Sequence, residues 1–153
     1  SSYNSSKLAT IAMLDVLAGF PQERKIAVLG DMRELGPLAE KEHQELARKA
    51  VQVAEEIITV GPQMRDYFIP ETQALGFDQT CVHYFISAYE AANFLKERIL
   101  KGGEAILVKG SQNTIFLEIV VKALMQNPAE AGQILCRQEP MWEEKRKKKL
   151  GKK

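Results

Sequence analysis

Four short apolar runs, each the length of one buried strand, constrain this chain more than any other feature. They read KIAVLG at 25–30, EIITVG at 56–61, TCVHYF at 80–85 and, inside GGEAILVKGS, a run at 104–109. Apolar runs this continuous belong to strands covered on both faces. Stretches of helical period lie between them. Residues 6–19 place Ala9, Met13, Val16 and Leu17 on one face behind a Ser5 or Ser6 cap, and Pro21 ends the helix. A second helix starts near Pro37 and runs to about Ala54, with Leu46, Ala47, Ala50, Val51 and Ala54 as its stripe. A weaker helix at 63–75 is broken by Pro70. Ser87 caps the next, with Ala88, Ala91, Ala92, Leu95 and Ile99 inward, and a last helix near 113–126 buries Phe116, Ile119, Val120, Ala123 and Leu124.

Strand and helix alternating at this rhythm predict an α/β fold: a Rossmann-like, doubly wound, mainly parallel sheet with helices on both faces. The opening helix has no strand before it, so a first strand is expected just upstream. The 153 residues suit one domain. No apolar run approaches the ~20 residues of a membrane helix, and no signal peptide is present. The polar opening SSYNSS without a starting Met reads as a cut boundary. Cys81 and Cys136 lack metal-like spacing and read as two free thiols in a reducing compartment. Charge is uneven. Residues 143–153 hold seven of the 21 basic and two of the 20 acidic residues, a local +5 against −4 elsewhere. Without interleaved aromatics this tail reads as a solvated terminus, with neither nucleic acid nor membrane as its partner.

Ligands of such sheets sit beyond the carboxyl ends of the strands. Three polar loops fall there: SYNSS, GDMRELG and KGSQN. The chain has neither a G-x-G-x-x-G fingerprint nor a Walker A loop, which disfavours a lone dinucleotide oxidoreductase and an independent P-loop ATPase. Lys109 ends a buried strand and can aim an ammonium at an anion, with Gly110 admitting close backbone approach and Ser111 donating; a strand-end lysine in solvent is the even alternative. Asp31 can accept from a sugar hydroxyl or an amine, although capping backbone amides is the simpler role. His43, on a charged helix face, and His83, in a strand, read as structural. Tyr3 and Asn4 precede a helix start, which suits a nucleotide or a plain cap.

Taken together, SYN before a helix, IAVLGDMRELG with EKEH after it, and ILVKGSQNTIFLEIVV resemble the C-terminal domain of the Mur ligases over residues 1–126 in the same order, with 127–153 as an extension. The resemblance implies a cytoplasmic, bacterial, ATP-dependent amide ligase of peptidoglycan precursor synthesis. Its reaction would join D-Ala-D-Ala to a UDP-MurNAc-tripeptide through an acyl phosphate. ATP and Mg2+ would be held mainly by a central domain elsewhere in the same chain, and this piece would be inactive alone. Carried over by position, Lys109 is catalytic, Tyr3, Asn4 and Asp31 are nucleotide-binding, and Glu34, Ser111, Gln112 and Asn113 are substrate-binding. His43 and Glu118 fall on family-like positions without an assigned role. Ser1, Lys7 and Gln112 depart from the family's usual acid, proline and arginine. A stand-alone binding or regulatory module and a related ligase such as folylpolyglutamate synthase are the alternatives, and the LGDMxELG loop argues against the latter.

Overall fold

The computed structural model describes residues 7–111, 115–125 and 148. Strands β1 (Lys25–Gly30), β2 (Glu56–Val60), β3 (Val82–Phe85) and β4 (Ala105–Lys109) form one parallel sheet in the order β3-β2-β1-β4. Register pairs Leu29 with both Thr59 and Lys109, so β1, β2 and β4 end at one level.

Alternation along β1 builds two cores, because successive side chains point to opposite faces. Ala27 and Leu29 pack with Leu14 and Leu17 of α1 (Lys7–Ala18), and with Leu46, Ala47 and Ala50 of α2 (Ala39–Val53). Ile26 and Val28 pack with Ala88, Ala91 and Ala92 of α4 (Ala88–Phe94), and with Val120 of α5 (Glu118–Leu124). The sheet is therefore doubly wound, and the strand order reverses between β1 and β4.

Local chemistry explains most boundaries. Ser87 accepts the Tyr89 amide and starts α4. Pro37 sits in a 3-10 turn, Gly36–Leu38, that leads into α2. Four expectations need correction. Pro70 does not break a helix: the helical run continues through residues 62–74, with a π turn at Met64–Phe68 directly ahead of α3 (Ile69–Ala74), which holds Pro70 at its start. In α1 the buried face is Thr10, Leu14 and Leu17, whereas Ala9 and Val16 are exposed. That helix is apolar nearly all round, so its periodicity could not identify the inner face. The third strand starts at Val82, because Gln79–Cys81 form a 3-10 turn. Finally α5 begins at Glu118; Phe116 is buried ahead of it with φ 54°, a conformation no helix continues through. No described helix is long and apolar enough to cross a membrane.

Candidate functional site

The carboxyl ends of β1, β2 and β4 form a rim. Asp31 leaves β1 with its N–H donated to the Val60 carbonyl at 3.1 Å, and its own carbonyl accepts the Ser111 N–H at 3.1 Å. The segments after β1, β2 and β4 are thereby stitched edge to edge.

The next contacts are side-chain ones, and they come in series. Asp31 Oδ1 accepts the Met64 N–H at 2.8 Å, from the π turn after β2. The Met32 N–H is donated to His43 Nε2 of α2 at 3.1 Å. The Arg33 N–H is donated to Ser111 Oγ, after β4, at 2.9 Å. Three consecutive residues are held by three different elements. Beyond the clamp, Arg33 and Glu34 are exposed, and Glu34 has φ 63°. A non-glycine residue there stores about 1 kcal/mol or more, which persists only where the surroundings fix it.

Two close approaches require glycine. At Gly61, φ is 115° and a Cβ would lie 2.5 Å from Asp31 Cγ, so only glycine lets the carboxylate reach the π turn. A Cβ on Gly110 would meet Leu117 Cδ1 at 2.7 Å and Gly30 Cα at 3.2 Å. The close approach at Gly110 thus includes the protein's own backbone.

Electrostatics follow burial. Asp31 is 4% exposed, and burial raises its carboxyl above the usual range, outweighing the lowering effect of the Met64 and Gln63 amides. His43 is fully buried, and burial pushes its imidazole below the usual range against the pull of the Ala39 carbonyl and the charges of Asp31 and Glu42. Lys109 is 2% exposed, with its ammonium also lowered by burial. By strand alternation it shares the face of Ala105 and Leu107. The solvent-exposed reading of Lys109 is therefore overturned, and a buried lysine at a strand end is a functional-site candidate.

The structure brings Asp31, Lys109 and Ser111 to one rim and leaves Glu34 exposed beside them. Tyr3, Asn4, Gln112 and Asn113 lie outside the described residues, as do Ser5, Ser6, Cys136 and, apart from Lys148, the basic run. Asp31 caps backbone amides, as the simpler sequence reading had it. His43 does not lie on a charged face: it belongs to the inner stripe with Leu46, Ala47 and Ala50. That spacing was the available signal, masked by the charges at Glu40, Lys41, Glu42 and Glu45. His83 bonds Glu56, which also meets Arg24 at the amino ends of the strands, away from the rim. Cys81 is a free thiol.

Parallel strands wound both ways, with clamped loops at their carboxyl ends, define a ligand-binding α/β domain. A family model described as Mur ligase, glutamate ligase domain, matches residues 1–112, and the chain belongs to that family. It is 32% identical over 131 residues to UDP-N-acetylmuramoyl-tripeptide–D-alanyl-D-alanine ligase of Bacillus subtilis (strain 168), covering 83% of the chain and 27% of that protein. Among solved structures, MurF ligase from Thermotoga maritima in complex with ADP matches with TM-score 0.61 and 21% identity, over 87% of this chain and 28% of that one. MurF from Acinetobacter baumannii matches with TM-score 0.66 and 23% identity, over 82% and 27%. The chain thus spans little more than a quarter of the length of these relatives.

Proposed function

We propose that this chain is the C-terminal domain, ending near residue 126, of a cytoplasmic ATP-dependent ligase that adds D-Ala-D-Ala to a UDP-MurNAc-tripeptide. The observation that supports this best is the threefold clamp on residues 31–33 beside buried Lys109. It is a rigid rim that positions groups, where a merely packed loop would need no such anchoring.

In the reaction, a carboxylate oxygen of the tripeptide attacks the γ-phosphorus of ATP and ADP leaves. The dipeptide amine then attacks the acyl phosphate carbon, and the tetrahedral intermediate expels phosphate. Lys109, Arg33 and Ser111 supply cations and a hydroxyl, a donor set that suits phosphate oxygens and a developing oxyanion. Among the described residues no group of three or more His, Cys, Asp or Glu is placed to hold a metal. Mg2+ and the ATP phosphates would be held mainly by a central domain elsewhere in the parent chain. To Tyr3, Asn4 and Asp31 we assign nucleotide binding, with Asp31 also fixing the loop. To Glu34, Ser111, Gln112 and Asn113 we assign the binding of the incoming amine substrate. Domain closure excludes water that would hydrolyse the acyl phosphate.

The test is Lys109→Ala in the intact parent enzyme. We expect kcat/KM with D-Ala-D-Ala to fall at least tenfold, which is about 1.4 kcal/mol. A value within threefold of the parent would remove Lys109 from the mechanism.

A further inference from the structure

Helix α2 carries a histidine whose two ring nitrogens are both committed. Nδ1 lies 2.7 Å from the Ala39 carbonyl one turn back, and Nε2 lies 3.1 Å from the Met32 amide nitrogen. The partners determine the tautomer. A carbonyl can only accept, so Nδ1 bears the proton; a backbone N–H can only donate, so Nε2 must be bare. The ring is fully buried, so water cannot substitute for either partner.

Met32 is the middle residue of the clamp, and the two exposed residues, Arg33 and Glu34, follow it directly. We propose that His43 is a positioning residue of this site: through the Met32 amide it sets where Arg33 and Glu34 stand, and only the neutral ring can do so. Protonation would aim an Nε2–H at the Met32 N–H, two donors 3.1 Å apart, and the amide would have to turn away. The loop then loses its central anchor while Asp31 and Ser111 still grip either side. The charges of Asp31, from the loop, and Glu42, from its own helix, act on the imidazole, and the Tyr67 ring from the π turn lies 6.2 Å from it. The two acids favour the cation and burial opposes it, with burial the larger effect.

The catalytic consequence rests on the ligase reading above; the positioning itself does not. Two substitutions separate the roles of the nitrogens. In His43→Gln the side-chain amide reaches the place of Nε2 and offers an oxygen to Met32 without titrating. In His43→Asn the shorter amide can replace only Nδ1. On this chain, amide NMR across a pH series reads the loop directly. The resonances of Met32, Arg33 and Glu34 should stay near wild type in the Gln variant and shift in the Asn variant. On acidification of the unmodified chain they should shift together with the His43 imidazole signal, and in the Gln variant this acid response should vanish. In the intact enzyme, kcat/KM should fall at least tenfold for Asn and less than threefold for Gln, and the Gln variant should lose an acid-side limb of the pH profile.

Loop resonances that ignore the His43 titration, or that move equally in Gln and Asn, would overturn the proposal. A loop that responds as expected in a parent enzyme unable to ligate D-Ala-D-Ala would refute the ligase reading and leave the positioning role standing.

Discussion

Asp31 and Met64, 33 positions apart, meet through a 2.8 Å bond from the Met64 amide to Asp31 Oδ1. The carboxylate that follows β1 therefore anchors the turn that follows β2. Buried amides left without an acceptor cost about 1–3 kcal/mol, so Asp31→Ala should destabilise the chain by that amount in urea denaturation. Asp31→Asn keeps an oxygen in place and removes a charge that burial disfavours, so its loss should be less than half as large.

Gly61 lies against the same carboxylate. Gly61→Ala forces a side chain onto φ 115° and toward Asp31 Cγ. We expect a loss of about 2 kcal/mol or more in the wild-type background. In Asp31→Ala the obstructing atoms are gone, so the same substitution should cost clearly less. Equal costs in both backgrounds would show that the two residues do not couple.

Burial of His43 also sets a sign for stability against pH. Its folded pKa lies below the ordinary 6.5. As pH falls through 6.5 the unfolded chain takes up a proton that the folded chain refuses, so unfolding gains from acid. Stability should therefore decline between about pH 6.5 and the lower folded pKa, by at most about 1.4 kcal/mol per pH unit from this group. The His43→Gln variant, measured by urea midpoints at pH 7.5 and 5.5, should show a smaller decline than wild type. An identical decline would mean that His43 is not the group responsible.

Arg24 supplies the control at the opposite end of the sheet. Its guanidinium donates to the Ile99 carbonyl at 2.6 Å and to Glu104 at 3.0 Å, and it meets Glu56 at 3.4 Å. The side chain is partly solvated, which limits these pairs to about 1 kcal/mol together. Arg24→Met should lower the urea midpoint accordingly and leave the resonances of Met32, Arg33 and Glu34 unmoved. Movement at the loop would show that the two ends of the sheet communicate.

Most of the architecture was legible in the chain. Continuous apolar runs such as Ile26–Leu29 can be satisfied only by cover on both faces, and the intervening stripes supply the helices that cover them. The stripe of α2 and the Ser87 cap were local signals, and both hold. Boundaries failed where a local rule had two outcomes. Pro70 can follow a π turn inside a continuing helix as well as break one, and α1 is too uniformly apolar to reveal its inner side.

The order of strands and helices, the winding of the sheet and the meeting of the segments after β1 and β4 at one rim were determined by the sequence itself, because hydrophobic period and turn residues act over a few positions. Which way Asp31, His43 and Lys109 point was decided only in the tertiary structure. Their environments come from residues far along the chain: Met64 for Asp31, Met32 for His43, and the packed sheet face for Lys109. Burial and hydrogen-bond partners arise when those segments meet, and the same partners decide whether a charged side chain faces water, a ligand or its own backbone.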